Sequence, residues 1–249
     1  LRYNPNNVQI GAVAGSGKTT TLLWAIRDVF ADKRVLVVSF TKKVAENMNK
    51  KLAKSGLHLA QAMNMHRIGY RFLSGSGYNI DVDENKMLNI AYALVTRYHK
   101  SEDAKMFMKS VDVSRVAALT RVVKIRNITD TDVLEIAINH GYDDSDDPTR
   151  DATIPAVHEI AYEAIKLSDM MFEQEGICDF DDMIVQPLRL NLPVPREFAG
   201  TQVAMIDEGQ DLNEAQRALF FRTINSNVQI VSAGDAFQSM FSFAGADAD

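Results

Sequence analysis

The chain has 249 residues, 46% apolar and 24% charged, with a net charge of −6, which suits one or two domains with ample material for a core. No run of about 18 apolar residues is present to span a membrane, and no charged-then-apolar leader opens the chain, so a cytoplasmic protein is the expectation. The lone cysteine, Cys178, excludes an internal disulfide and a cysteine-based zinc site, and the first residue is Leu1, which suggests processing or a piece of a longer polypeptide.

The first predicted elements are the apolar run Val8–Ile10, the glycine-rich GAVAGSGKTT from Gly11 to Thr20, and a helical pattern from Thr21. A strand, a glycine turn and a helix in that order make a phosphate-binding loop. Glycines let backbone N–H groups close on a polyphosphate, and the helix N-terminus adds partial positive charge. Ala14, Gly15, Ser16, Gly17, Lys18, Thr19 and Thr20 are the candidate ATP contacts. Lys18 would reach the β- and γ-phosphates and Thr19 would place its hydroxyl on Mg²⁺. The strict pattern has Gly where Ala12 stands here.

RVLVVSF, residues 34–40, reads as a parallel strand buried on both faces, followed by a helix over 42–54. Strand, helix, strand, helix at this spacing predicts an α/β domain with a parallel sheet. Between Lys33 and Arg71 nine basic residues face Glu46 alone, whereas Asp130–Asp151 holds eight acids and one base. An acidic body with a local basic tract suggests a polyanion track, the alternative being a solvated lysine-rich helix face. Residues 57–62 are a candidate strand and 66–73 a helix. From 83 to 175 helix follows helix, at 87–98, 104–110, 114–125, 131–139 and 154–172, which reads as a helical subdomain inserted into the α/β domain. Strand-type runs resume at 202–206 and 228–231.

QVAMIDEGQD sets Asp207 and Glu208 directly after a buried strand. Asp207 would hold Mg²⁺, and Glu208 would orient or deprotonate a water attacking the γ-phosphate. The second late strand runs into SAGDAFQSMFSFAGAD, where Gln238 is placed to report on the terminal phosphate.

These segments, together with VSFTKKVAENM, NMHRIGYRFL and DFDDMI, occur in the order of the superfamily 1 helicases related to UvrD, Rep and PcrA, and the chain resembles that family nearly end to end. The resemblance implies a RecA-like ATP-binding domain formed by residues 1–80 and 170–249, with an inserted helical subdomain at 81–169. A second RecA-like domain, needed to complete the ATP site, is expected outside these residues. It implies ATP and Mg²⁺ as cofactors, single-stranded DNA and its junctions with duplex as partners, 3′ to 5′ movement, and work in DNA repair or replication. Phe40, Thr41, Lys42 and Lys43 match a motif that contacts single-stranded DNA phosphates. His66 matches another strand contact, with Asn64 replacing the usual Thr. Gln238 matches the γ-phosphate sensor, and Phe241 and Phe243 match aromatic positions on which bases stack. Ala244 stands where an Arg is usual. Arg115, Arg121, Lys124 and Arg126 are candidate phosphate contacts of the helical insertion. The alternatives are a helicase subunit of a helicase-nuclease complex, a P-loop kinase, and a non-enzymatic interaction fragment.

Overall fold

A computed structural model describes residues 7–11, 17–100, 113–126, 150–207 and 209–234. These form two compact units, one from Leu1–Ser76 with Leu192–Asp249, the other Gly77–Asn191. The expected boundary at 169/170 falls inside a helix that runs from Arg150 to Glu175. The expected helices at 104–110 and 131–139 lie outside the described residues.

The first unit is built on five strands, β1 (Val8–Gly11), β2 (Val35–Ser39), β3 (Ala60–Asn64), β6 (Val203–Asp207) and β7 (Gln229–Gly234), in the spatial order β1-β7-β6-β2-β3. Every pairing is parallel, as the buried, unalternating runs VLVVS and VAMID require. Helices α1 (Lys18–Asp28), α2 (Lys42–Lys54) and α3 (Met65–Gly75) connect or follow the first three strands, and α8 (Glu214–Thr223) precedes β7. Leu22 and Ile26 of α1 and Ala45, Met48 and Leu52 of α2 pack with Val35, Val37, Val203, Met205 and Val231 in one core. Fully burying the Val, Leu, Ile and Met side chains among these contributes roughly 1.5–3 kcal/mol each. This is the α/β, RecA-like architecture, a parallel sheet flanked by helices.

The order of the strands positions the site. The β1-α1-β2 crossover steps over β7 and β6, two strands at about 4.8 Å each, so α1 lies across the middle of the sheet. The strands are parallel and in register: Gly11 is opposite Gly234, Asp207 opposite Ala233 and Ser39 opposite Asn64. Their carboxyl ends therefore share one edge, the edge where open α/β sheets bind ligands.

The second unit contains α4 (Lys86–His99), α5 (Val113–Arg126), α6 (Arg150–Glu175), α7 (Phe180–Arg189) and a two-stranded parallel ribbon, β4 (Asp81–Val82) with β5 (Ile177–Cys178). Ile90, Leu94, Val116, Leu119, Val123, Val157, Ile160 and Ala164 form its apolar core. Beside that core lies a buried ionic cluster. Lys86 Nζ donates to Asp182 Oδ2 at 2.7 Å and to the carbonyls of Ser168 and Ile177 at 2.7 and 2.8 Å. Lys124 Nζ stands 2.6 Å from Asp182 Oδ1 and 3.2 Å from Asp179 Oδ2.

Both lysine side chains are 0% exposed, which corrects the expectation that Lys124 contacts phosphate. Burial would lower its pKa, but the Asp182 and Asp179 charges more than offset that and raise it above the ordinary lysine value. Burial likewise works to raise Asp182, while Lys124 and Lys86 hold it below the usual carboxylate range. Burial, reinforced by the Asp182 and Asp179 carboxylates, pushes the Cys178 thiol far up, so it stays protonated and unreactive. Arg121 is exposed and 3.2 Å from Asp181; Arg115 is half-buried.

Candidate functional site

At the carboxyl edge of the sheet, β1 ends at Gly11 and α1 begins at Lys18. Gly17 is the N-cap of α1 and has φ 87°, a left-handed conformation that side chains resist and glycine accepts. Gly17 itself has no side chain with which to cap the helix. The first-turn N–H groups of α1 have no partner within the helix and lie at this edge of the sheet. Lys18, the first helical residue, is only 8% exposed. A cation there opposes the helix dipole, which favours negative charge at an N-terminus.

Thr19 follows, and its Oγ1 donates to Asp207 Oδ2 at 2.7 Å. The two residues are 188 apart in sequence. They meet because α1 crosses over β7 and delivers its first turn to the end of β6, where Asp207 is 8% exposed. A hydroxyl and a carboxylate are hard oxygen donors of the kind Mg²⁺ takes while keeping waters and phosphate oxygens as its other ligands. Among the described residues no group of three or more His, Cys, Asp or Glu side chains forms a closed cage, and an ion held in that open way needs none. Ala14, Gly15, Ser16, Glu208, Gln238, Phe241 and Phe243 lie outside the described residues. Thr20 is exposed on α1, and Gly209–Asp211 forms a single 3-10 turn after β6.

The next two strands, β2 beside β6 and β3 beyond it, end side by side in turns of the same design. Thr41 caps α2 and its Oγ1 accepts from the Val44 amide at 3.2 Å, while Asn64 caps α3 and its Oδ1 accepts from the Arg67 amide at 3.1 Å. Asn64 therefore does the capping work of the expected Thr. Both side-chain oxygens accept here, which leaves the Thr41 O–H and the Asn64 NH₂ able to donate. Phe40, between β2 and the cap, is 53% exposed. Lys42 and Lys43 occupy the first turn of α2, which contains no acid, and both are exposed. Two cations at a helix N-terminus cost about 0.3–1 kcal/mol each in an isolated helix. His66 is half-buried in the first turn of α3. The structure thus gathers Phe40, Thr41, Lys42, Lys43 and His66 at one end of the β2–β3 pair, on the same edge as Lys18, Thr19 and Asp207.

Sequence reasoning did not single out Asn64 as a donor or the Gly17 conformation as the opening of the α1 N-terminus. An Asn directly before an apolar helical run was the signal that Asn64 caps α3.

A family model described as the UvrD/REP helicase N-terminal domain matches residues 2–249. The ATP-dependent DNA helicase UvrD2 of Mycobacterium tuberculosis is 26% identical over 254 aligned residues, covering 94% of this chain and 35% of that protein. The ATP-dependent DNA helicase PcrA of Leuconostoc citreum is 24% identical over 96% of this chain and 32% of its own length, and srs2 of Schizosaccharomyces pombe 23% over 96% and 28%. The chain spans about a third of the length of the curated relatives it matches. A parallel sheet with a glycine-capped helix N-terminus, a strand-end carboxylate at its first turn and a match over nearly every residue lead to one conclusion: this chain belongs to the UvrD/REP helicase N-terminal domain family.

Proposed function

We propose that this chain is the N-terminal motor half of an ATP-dependent DNA helicase that moves along single-stranded DNA, 3′ to 5′ by its resemblance to the family. The observation that carries the reading is the 2.7 Å contact between Thr19 and Asp207. It joins the glycine-loop helix to the acidic strand end at the edge where the relatives, named ATP-dependent DNA helicases, would need to hold nucleotide.

In this reading Gly15, Ser16 and Gly17 present backbone N–H groups to the phosphates and Lys18 neutralises charge on the β- and γ-oxygens. Thr19 and Asp207 would hold Mg²⁺, which when bound neutralises charge developing on the phosphate oxygens. Glu208 orients the attacking water and takes its proton, and Gln238 responds to the terminal phosphate. Thr41, Lys42, Lys43, Asn64 and His66 grip DNA phosphates, which positions the strand without reading its sequence. Phe40, Phe241 and Phe243 offer faces for base stacking. A second domain, for which the greater length of the relatives leaves room, lends the arginines that complete the ATP site. The helical unit at 77–191 is the insertion that faces the junction with duplex.

The test separates binding from chemistry. Lys18→Ala is expected to weaken nucleotide binding, whereas Glu208→Gln in the complete enzyme keeps binding and removes hydrolysis. Equal loss of binding in both variants would overturn the role assignment.

A further inference from the structure

The basic tract of residues 33–71 extends well past the strand-end turns. Helix α2 carries Lys42, Lys43, Lys50, Lys51 and Lys54 against Glu46 alone. Its buried residues are Ala45, Met48 and Leu52, and Asn49 ties it to β3 by exchanging two 2.8 Å hydrogen bonds with the backbone of Ala62. That anchoring fixes which face points outward. At about 100° per residue, Lys43, Lys50 and Lys54 fall within about 40° of one another, opposite Leu52, and about 16 Å of helix separates the first from the last.

All five lysines are exposed, and among the described residues none makes an ion pair or a side-chain hydrogen bond. The helix dipole accounts for Lys51 and Lys54, which lie in the last turn, but disfavours Lys42 and Lys43 and is indifferent to Lys50. No aromatic residue interrupts the crest. Flexible ammonium groups in a row, with no planar fork and no stacking face, suit a moving phosphodiester backbone better than a fixed carboxylate partner.

We propose that the outer crest of α2, Lys43–Lys50–Lys54 flanked by Lys51, is a second phosphate-contact surface that carries the DNA strand onward from the Phe40–Lys43 turn. This rests on the reading of the chain as a single-stranded DNA motor half. Each phosphate neutralised on a single strand contributes about 0.7 to the slope of log affinity against log salt. Removing Lys50, Lys51 and Lys54 should therefore lower that slope by about 2, which corresponds to about 20-fold less loss of affinity between 50 and 200 mM salt.

The experiment is a fluorescence anisotropy titration of labelled oligothymidylates, one long enough to pass both contact segments and one that fills only the first. The variant K50Q/K51Q/K54Q should lose slope on the long oligomer and keep it on the short one, and K50R/K51R/K54R should retain the wild-type slope on both. An unchanged slope for the Gln variant on the long oligomer, or loss of slope in the Arg variant, overturns the proposal. If K42Q/K43Q weakens both oligomers while K50Q/K51Q/K54Q weakens neither, the crest is refuted and the motor reading stands. Absence of salt-dependent binding by the wild type refutes both.

Discussion

Replacing Lys86 by Met should destabilise the helical unit by about 4 kcal/mol. Its ammonium is 0% exposed and makes three contacts of 2.7–2.8 Å, two to carbonyls and one to Asp182. The substitution leaves Asp182 with Lys124 alone, so two buried carboxylates, Asp179 and Asp182, share one buried cation. Removing one partner of a buried pair costs about 3–5 kcal/mol, and an orphaned buried acceptor about 1–3 kcal/mol, contributions that overlap rather than add. For a chain of this size each kcal/mol moves the melting midpoint by about 2–4 °C, so far-ultraviolet circular dichroism should record a fall of roughly 10 °C. Lys100→Met, at an exposed position after the same helix, should shift the midpoint by a degree or two. The double variant Lys86→Met/Asp182→Asn restores neutrality and should be less destabilised than the sum of the two single changes. Equal shifts for Lys86→Met and Lys100→Met, or strict additivity in the double, would refute the cluster as described.

The pH dependence follows from the signs of the shifts. Asp182 is held below its unfolded value of about 3.9, so its contribution is present above that pH and is lost as the pH falls through the depressed folded value. Lys124 is raised above about 10.4, so its contribution is full below that pH and is lost only as the pH rises through the raised value. Urea unfolding should find the contributions of these two residues flat between pH 5 and 9, and a steep change inside that window would contradict the assignment. Gly176→Ala should abolish stable folding of the helical unit, because Gly176 has φ 73° and a Cβ there would overlap the Asn79 carbonyl oxygen. At Gly77, with φ 90° and open space around it, the same change should cost only about 1–2 kcal/mol of backbone strain; comparable unfolding midpoints for the two would refute that difference. Thr41→Ala should remove a cap worth about 1 kcal/mol and weaken single-stranded DNA binding, whereas Thr41→Ser should restore both. A Ser variant as weak as Ala in the DNA titration would remove the hydroxyl from the binding account.

Much of the first unit was legible because its chemistry and its periodicity agree. VLVVS and VAMID are buried on both faces and read as parallel strands, and the helix at 42–54 begins and ends where its pattern says. The pairing of Thr19 with Asp207 was legible only as two separate motifs; their meeting depends on β7 lying between β1 and β6, which no local pattern encodes. Lys124 misled for an instructive reason. Its spacing from Val116, Leu119, Thr120 and Val123 places it on the buried face of α5, but a lysine there reads as solvent-facing unless its carboxylate partners are known. Those partners sit in DFDDMI, where Asp179 and Asp182 form a capping box that starts α7, and that segment read as a motif rather than as a helix start. The third predicted strand also moved, from 57–62 to Ala60–Asn64, because Leu57 closes the end of α2 through a hydrogen bond to Leu52.

The central claim is that one sheet edge binds nucleotide near Thr19 and Asp207 and single-stranded DNA near Thr41 and Asn64. It is tested most directly by measuring the affinity of the chain for a labelled oligothymidylate with and without a non-hydrolysable ATP analogue and Mg²⁺, and reciprocally the affinity for the analogue with and without DNA. The account predicts that each ligand changes the affinity for the other by the same factor, as linkage requires, and that Asp207→Asn removes the effect. Binding of neither ligand, or tight binding of both with no mutual effect, would contradict it.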